Sequence, residues 1–128
     1  MIEKPSEQIT NFLNFITAAQ SHYKFCDEEM HKQEQLTQDY LHSLELDNLK
    51  CSERSKIATK LAINRKDRRY YKDRVEELEP IVQWASDPTN MKMINQLKQV
   101  LGTCRKQESY HKDRTYTPKV LKECEDNE

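Results

Sequence analysis

A seven-residue repeat of mostly apolar positions runs without interruption through the first third of the chain. It holds for about five heptads after Ser6 and contains neither glycine nor proline. This spacing keeps one side of a helix apolar and is typical of long helices that pack side by side. We therefore predict a helix from about Ser6 to Leu46, with Ser6 as its N-cap. The two seam positions read Ile9, Ile16, Tyr23, Met30, Thr37 and Leu44, and Phe12, Ala19, Cys26, Gln33 and Tyr40.

Two further helices are predicted after breaks in this pattern. Asp47-Asn48 ends the first helix, and Ser52 is expected to cap a second helix, which Pro80 either kinks or divides. The turn formers of residues 86–90 then precede a third helix. The second seam alternates steps of four and three residues, and a third apolar face follows. The two sets are Ile57, Leu61, Asn64, Arg68, Tyr71, Val75, Leu78, Val82 and Ala85, and Ile94, Leu97, Leu101 and Cys104.

Composition limits the fold class to helical proteins. One glycine and four prolines among 128 residues are too few turn formers for a barrel or a sandwich. Hydrophobic residues make up 35% and charged residues 34%, which suits narrow apolar seams. We predict an all-α fold, either an antiparallel helical hairpin or a three-helix bundle with long coiled-coil-like helices. Residues 1–121 are expected to form one domain and residues 122–128 an acidic flexible tail.

Short connections between helices favour antiparallel neighbours, which sets the register of the first pair. A turn between residues 47 and 52 places residues whose numbers sum to about 99 at one level. Gln33 and Thr37 then face Asn64 and Arg68, so both seams become polar at the same height. This polar layer either fixes the register of the helices or opens as a polar pocket.

The same argument, applied to the second and third helices, predicts a basic cluster. A turn between residues 86 and 89 pairs residues whose numbers sum to about 175. Two basic segments, residues 64–74 and 105–116, then converge at one end of the bundle. The residues expected to meet there are Arg65, Arg68, Arg69, Lys72, Arg105, Lys106, Tyr110 and Arg114.

This cluster predicts a site for an anionic ligand that carries a base. Guanidinium groups chelate phosphate in a bidentate manner, and tyrosines stack on bases. Residues 51–75 hold nine basic and three acidic side chains, although the formal net charge of the chain is −1. The alternative is that these cations only form surface salt bridges to the acidic first helix, such as Asp27 or Glu28 with Arg68 or Lys72.

Other site chemistry finds little support in the sequence. A single glycine excludes a glycine-rich phosphate loop, and no cofactor is predicted. His22 and Cys26 are spaced to share a metal, but no second pair completes a site, so no metal is expected. Arg105 and His111 resemble the arginine–histidine motif of HEPN ribonucleases, although Lys106 stands where that family tends to have another polar residue. No catalytic residue is assigned, and the protein is predicted not to be an enzyme.

The remaining expectations concern compartment and assembly. We find no signal peptide and no apolar run long enough to cross a membrane. The four cysteines are widely spread, which indicates reduced thiols in a cytoplasm. The apolar stripe of the first helix is longer than the third helix can cover, so we expect a homo-oligomer.

Two stretches resemble a group of small uncharacterised proteins from phages and prophages of Gram-positive bacteria. They are ATKLAINRKDRRYYKDRVEELEPIVQWASD, residues 58–87, and INQLKQVLGTCRKQESYHKDRTYTPKVL, residues 94–121. The resemblance implies a phage accessory protein that antagonises bacterial immunity inside the host cell. We expect it to sequester a phosphate-bearing nucleotide signal without cleaving it. The alternative is direct inhibition of a defence nuclease, with the acidic first helix as a decoy for nucleic acid.

Overall fold

Three helices account for nearly all of the residues that the computed structural model describes, which are 4–116 and 118–120. They are α1 (Pro5–Leu46), α2 (Cys51–Ser86) and α3 (Pro88–Lys112). The all-α prediction is confirmed, and no strand occurs within these residues. None of the three helices is long and apolar enough to cross a membrane. The predicted acidic tail, residues 122–128, lies outside the described residues.

The helix starts differ from the predicted caps. Lys4 is the N-cap of α1, Pro5 is its first helical residue, and Ser6 is buried within the first turn. Proline is favoured there because its missing N–H would have no intrahelical acceptor. Lys50, not Ser52, is the N-cap of α2, and its backbone N–H donates to the Glu53 carboxylate at 3.4 Å. Both predicted serine caps were therefore wrong by two residues.

Pro80 neither ends nor divides α2, which continues to Ser86. A proline inside a helix removes one backbone hydrogen bond and crowds the preceding turn. The helix nevertheless persists, and the exposed Pro80 ring lines a groove beside Phe12 and Phe15 of α1. The uninterrupted α2 spans about 54 Å at 1.5 Å per residue.

The α1–α2 pair is antiparallel and has the predicted register. Asn64 of α2 is buried and lies opposite Gln33 and Thr37 of α1. Thr37 Oγ1 donates to Asn64 Oδ1 at 2.5 Å. Asn64 Nδ2 donates to the backbone oxygen of Gln33 at 2.9 Å and to its Oε1 at 2.8 Å. The polar layer is therefore a hydrogen-bonded contact, and an open groove of about 180 Å³ lies beside it, lined in part by Gln33, Asn64 and Asp67.

The third helix packs against α1, and the predicted antiparallel pairing of α2 with α3 is wrong. Met91 and Ile94 lie beside Ile16 and Gln20 of α1, and Arg105 reaches Thr10 nearer the α1 N-terminus. Both α2 and α3 thus run opposite to α1 and broadly in the same direction as each other. Only Asp87 separates them, and this single residue does not reverse the chain.

Packing of α3 also changes which side of α1 is buried near its N-terminus. Leu13 and Ile16 are buried there, whereas Phe12, predicted to lie in the seam, is 41% exposed. The buried sector of α1 turns toward Leu13 because α2 and α3 approach α1 from different sides. Farther along, Cys26 and Thr37 are buried as predicted.

Candidate functional site

The predicted basic cluster does not assemble. Arg65 and Arg68 lie beside Glu34 of α1, whereas Arg105 lies beside Thr10. Thr10 and Glu34 belong to one continuous helix and are therefore about 36 Å apart along its axis at 1.5 Å per residue. The eight residues fall into two separate groups of four, one on α2 and one on α3 and the segment after it.

Three of the α2 cations share one flank of the helix, about 100° around from the seam that meets α1. Arg65, Arg69 and Lys72 follow one another at steps of four and three residues, which places them on one face. We call these three residues the basic stripe. Arg65 and Arg69 are exposed and Lys72 is half-buried. The stripe spans about 10 Å of helix.

The charges of the basic stripe are only partly neutralised. Arg65 Nη1 lies 3.9 Å from Glu34 Oε2, and both side chains are nearly half exposed. Within the described part of the chain, no carboxylate oxygen lies within 4.0 Å of the Arg69 or Lys72 nitrogens. Arg69, which is exposed, and Lys72, which is half-buried, therefore have no ion-pair partner there.

Arg68 has a different role from its neighbours. Its Nε pairs with the Glu34 carboxylate, and its side chain is 21% exposed. Glu34 therefore accepts from Arg68 and also lies near Arg65, across the α1–α2 contact. Asp27 and Glu28, the partners that we predicted for Arg68, are not the ones used. Arg68 joins the two helices and is not available to an external ligand.

The tyrosines on α2 do not join the basic stripe. Tyr71 belongs to the seam and meets the Phe25 ring edge-on at 6.2 Å. Tyr70 packs edge-on against Tyr71 at 5.3 Å and lies under the Arg74 guanidinium at 5.8 Å. Both rings are turned away from the stripe because they lie at other angles around the helix. The stripe thus offers positive charge without a stacking surface for a base.

The α3 group is dispersed and exposed. Arg105 Nη2 donates to Thr10 Oγ1 at 3.2 Å, and Lys106 is exposed. Tyr110 is 62% exposed and has its ring centroid 5.7 Å from that of His111. Arg114 lies beyond the end of α3. Arg105 and His111, six residues apart, point about 120° apart around the helix, so the HEPN-like pair does not share one face.

Cys26 is a fully buried thiol in the α1–α2 seam. Its Sγ lies 3.6 Å from His22 Nε2. Within the residues that the structure covers, no group of three His, Cys, Asp or Glu side chains could hold a metal ion. Burial raises the pKa of the Cys26 thiol, and Glu29 raises it further, while Arg74 lowers it in part. Burial likewise raises the pKa of Tyr71, with Glu29 and Asp67 adding to that effect.

An apolar groove between α1 and α2 was not anticipated. It measures about 320 Å³ and is lined by Phe12, Phe15, Ile16, Pro80, Ile81 and Trp84. The sequence does carry a signal for it, because residues 8–21 contain no charged side chain in a chain that is 34% charged.

Comparisons with protein-family models, with curated proteins and with solved structures gave no match to this chain.

Proposed function

We propose that this protein is a non-enzymatic binding protein whose basic stripe on α2 holds a ligand with several phosphate groups. The observation that carries this proposal is that Arg69 and Lys72 lie on one flank of α2 without a carboxylate within 4.0 Å among the described residues. Charge-assisted bonds from arginine and lysine to phosphate are the strongest contacts that such a face offers.

The shape of the face decides what kind of ligand it suits. Enclosed sites bury most of a small ligand, whereas the basic stripe lies on a convex helix surface. On this surface a single phosphate contacts one or two cations, whereas a chain of phosphates contacts all three along about 10 Å of helix. The shape therefore suits a chain of phosphates, such as that of a nucleotide, in which the phosphates and not the base provide most of the affinity.

The test is a calorimetric titration with inorganic triphosphate, a nucleoside triphosphate and the matching nucleoside. We expect both phosphate compounds to bind with similar affinity and the nucleoside not to bind. Added salt should weaken binding because these charges are exposed. Tighter binding of the nucleoside than of inorganic triphosphate would contradict the proposal.

Arg69→Ala and Arg105→Ala form a matched pair for this titration. Both replace an exposed arginine on a helix surface, but only Arg69 belongs to the basic stripe. Arg69→Ala should weaken triphosphate binding about tenfold, the lower end for one charge-assisted contact. Arg105→Ala should leave the affinity unchanged, and equal losses in both variants would count against the stripe.

The alternative, an acidic first helix that mimics nucleic acid, has less support. Asp27 lies 3.8 Å from His31, Glu29 lies 3.2 Å from Lys32, and Glu34 contacts Arg65 and Arg68. These three carboxylates are less available to a basic channel on another protein, whereas Glu28, Asp39 and Glu45 have no cation within 4.0 Å among the described residues. Pull-down of a defence nuclease that depends on Glu34 would favour this alternative.

We place this activity in a bacterial cytoplasm, as the resemblance to phage accessory proteins implies. Withholding a phosphate-bearing signal from host immunity would be its role there. Self-association is also part of the proposal, because α1 is longer than α3 and keeps exposed apolar residues along its length.

A further inference from the structure

Large apolar side chains are exposed together at the end of the bundle where α1 begins and α2 ends. Phe12 is 41% exposed, Phe15 53% and Trp84 41%. They line one groove with Pro80 and Ile81. We call these five residues the apolar face.

Charged residues are missing from both helix segments that carry this face. Residues 8–21 of α1 and residues 80–86 of α2 contain none, whereas the chain as a whole is 34% charged. Residues 65–74 of α2, by contrast, include eight charged side chains. Depletion of charge with enrichment of aromatic residues is the compositional mark of the centre of a protein–protein interface.

The exposed area is large for a surface that stays in water. Phe and Trp side chains present about 150–250 Å² each, so the exposed fractions of these three leave roughly 300 Å² of aromatic surface. That alone reaches the size of the largest apolar patch on an ordinary monomer, about 300–600 Å². The uncharged helix surface around these aromatic rings is about 20 Å long on α1. Together, the rings and this uncharged surface make an area of the order of the ~800 Å² that one partner contributes to a standard interface.

Charge also argues for the identity of the partner. A surface without charges matches a partner surface without charges, because any buried charge would lose hydration and find no counter-ion. Another copy of this chain presents such a surface, and a two-fold axis would bring two uncharged α1 segments together. No carboxylate or ammonium in residues 8–21 would have to be desolvated or would repel its equivalent.

We infer that two copies of this chain associate through the apolar face, with Phe15 and Trp84 buried at the centre of the contact. This inference rests on the proposed self-association and adds the surface at which it occurs. It is independent of the basic stripe, which shares no residue with the apolar face and ends about 12 Å before Pro80 along the α2 axis.

Trp84 is the single tryptophan of the chain, so its fluorescence reports directly on this surface. As the full-length protein is concentrated, the mass from light scattering should rise from 15.3 kDa to twice that value. Over the same concentrations, Trp84 emission should move to shorter wavelength and acrylamide quenching should fall. High salt should not dissociate the dimer, since the contact contains no ion pair.

Phe15→Glu places a charge in the centre of the contact. It should raise the dissociation constant at least thirtyfold, about the effect of losing one hot-spot residue, while Phe15→Leu should retain the dimer. Phe25→Glu is the matched control, because Phe25 is 51% exposed on the same helix but lies against Tyr71, outside the apolar face. Circular dichroism should show equal helicity in all variants before their masses are compared.

The outcomes separate this inference from the proposals on which it builds. A wild-type monomer with a constant Trp84 spectrum at all concentrations would overturn both self-association and this inference. A Phe15→Glu protein that still dimerises like wild type would overturn this inference alone, because another surface would then form the dimer. Neither result bears on triphosphate binding, which is measured separately.

Discussion

At the residue scale, Asn64 joins α1 to α2 through the polar layer. It is 2% exposed, and its amide makes hydrogen bonds to Thr37 and to both oxygens of Gln33. A polar residue in an otherwise apolar seam favours one register, because any shift leaves its buried groups without partners. This explains why a pattern of polar seam positions was enough to predict how α1 and α2 align.

Asn64→Ala should lower the free energy of unfolding by about 1–3 kcal/mol, because Thr37 and Gln33 would lose their partner in a buried place. Urea unfolding followed by circular dichroism measures this change. Thr59→Ala is the control, since Thr59 is exposed and bonds only within its own helix, and it should change stability by less than about 0.5 kcal/mol. Equal effects of the two substitutions would show that the polar layer stabilises the fold no more than an exposed hydrogen bond within one helix.

The buried Cys26 thiol should make stability depend on alkaline pH. Its folded-state pKa is raised above the ordinary 9.0 by burial. Below that pH both folded and unfolded chains hold the proton, whereas above it the unfolded chain releases the proton first. Unfolding then becomes more favourable as pH rises from 9.0 through the folded-state pKa.

Urea midpoints measured from about pH 8 to about pH 11 should therefore fall less in Cys26→Ala than in wild type. Tyr71→Phe should have the same effect above its ordinary 10.0. Cys51→Ala removes an exposed thiol and should keep the wild-type slope. If Cys26→Ala keeps that slope as well, burial of the thiol does not drive the alkaline loss.

At the scale of elements, the seams of α1 and α2 could be read from the sequence, but the position of α3 could not. Every residue of the predicted α2 seam, from Ile57 to Ala85, is buried or half-buried. The third helix has a correct apolar face, with Leu101 buried. An apolar face does not specify which neighbouring helix α3 packs against. The direction of α3 depends instead on the backbone dihedral angles of Asp87, with φ −64° and ψ 131°.

The misplaced helix also explains the failed basic cluster. Arg105 was expected near Arg69 only because α3 was assumed to fold back on α2. Since α3 instead follows α1 toward its N-terminus, Arg105 reaches Thr10. The α2 part of the proposed site does not depend on α3, because it needs only the spacing of Arg65, Arg69 and Lys72 along one helix.

Asp87 is the N-cap of α3, so its substitution should weaken mainly the first turn of that helix. Its carboxylate accepts hydrogen bonds from the backbone N–H groups of Thr89 at 2.9 Å and Asn90 at 3.4 Å. Asp87→Ala should destabilise the fold by about 1 kcal/mol, the usual cost of losing an N-cap. Ser52→Ala, at the cap predicted from sequence but not used, should have almost no effect on the unfolding midpoint. A larger loss from Ser52→Ala than from Asp87→Ala would contradict the observed helix starts.

At the scale of the whole molecule, charge and apolar surface occupy different parts of the α1–α2 rod. Opposite charges meet between α1 and α2 at Glu34, Arg65 and Arg68. Uncharged segments and exposed aromatic rings lie where α1 begins and α2 ends. Arg69 and Trp84 are fifteen residues apart on one continuous helix, or about 22 Å. This separation exceeds the distance over which exposed charges interact strongly at physiological salt, about 8 Å.

The two surfaces should therefore act independently, which a two-by-two comparison of variants can establish. Arg69→Ala should weaken triphosphate binding and leave the dimer mass unchanged. Phe15→Glu should yield a monomer that binds triphosphate with wild-type affinity per chain, because no residue of the basic stripe belongs to the apolar face. In the double variant the two effects should add, as they do for sites more than about 10 Å apart without shared partners. Loss of triphosphate binding in folded, monomeric Phe15→Glu would instead mean that the ligand needs cations from both copies, and that the basic stripe of one chain is not sufficient.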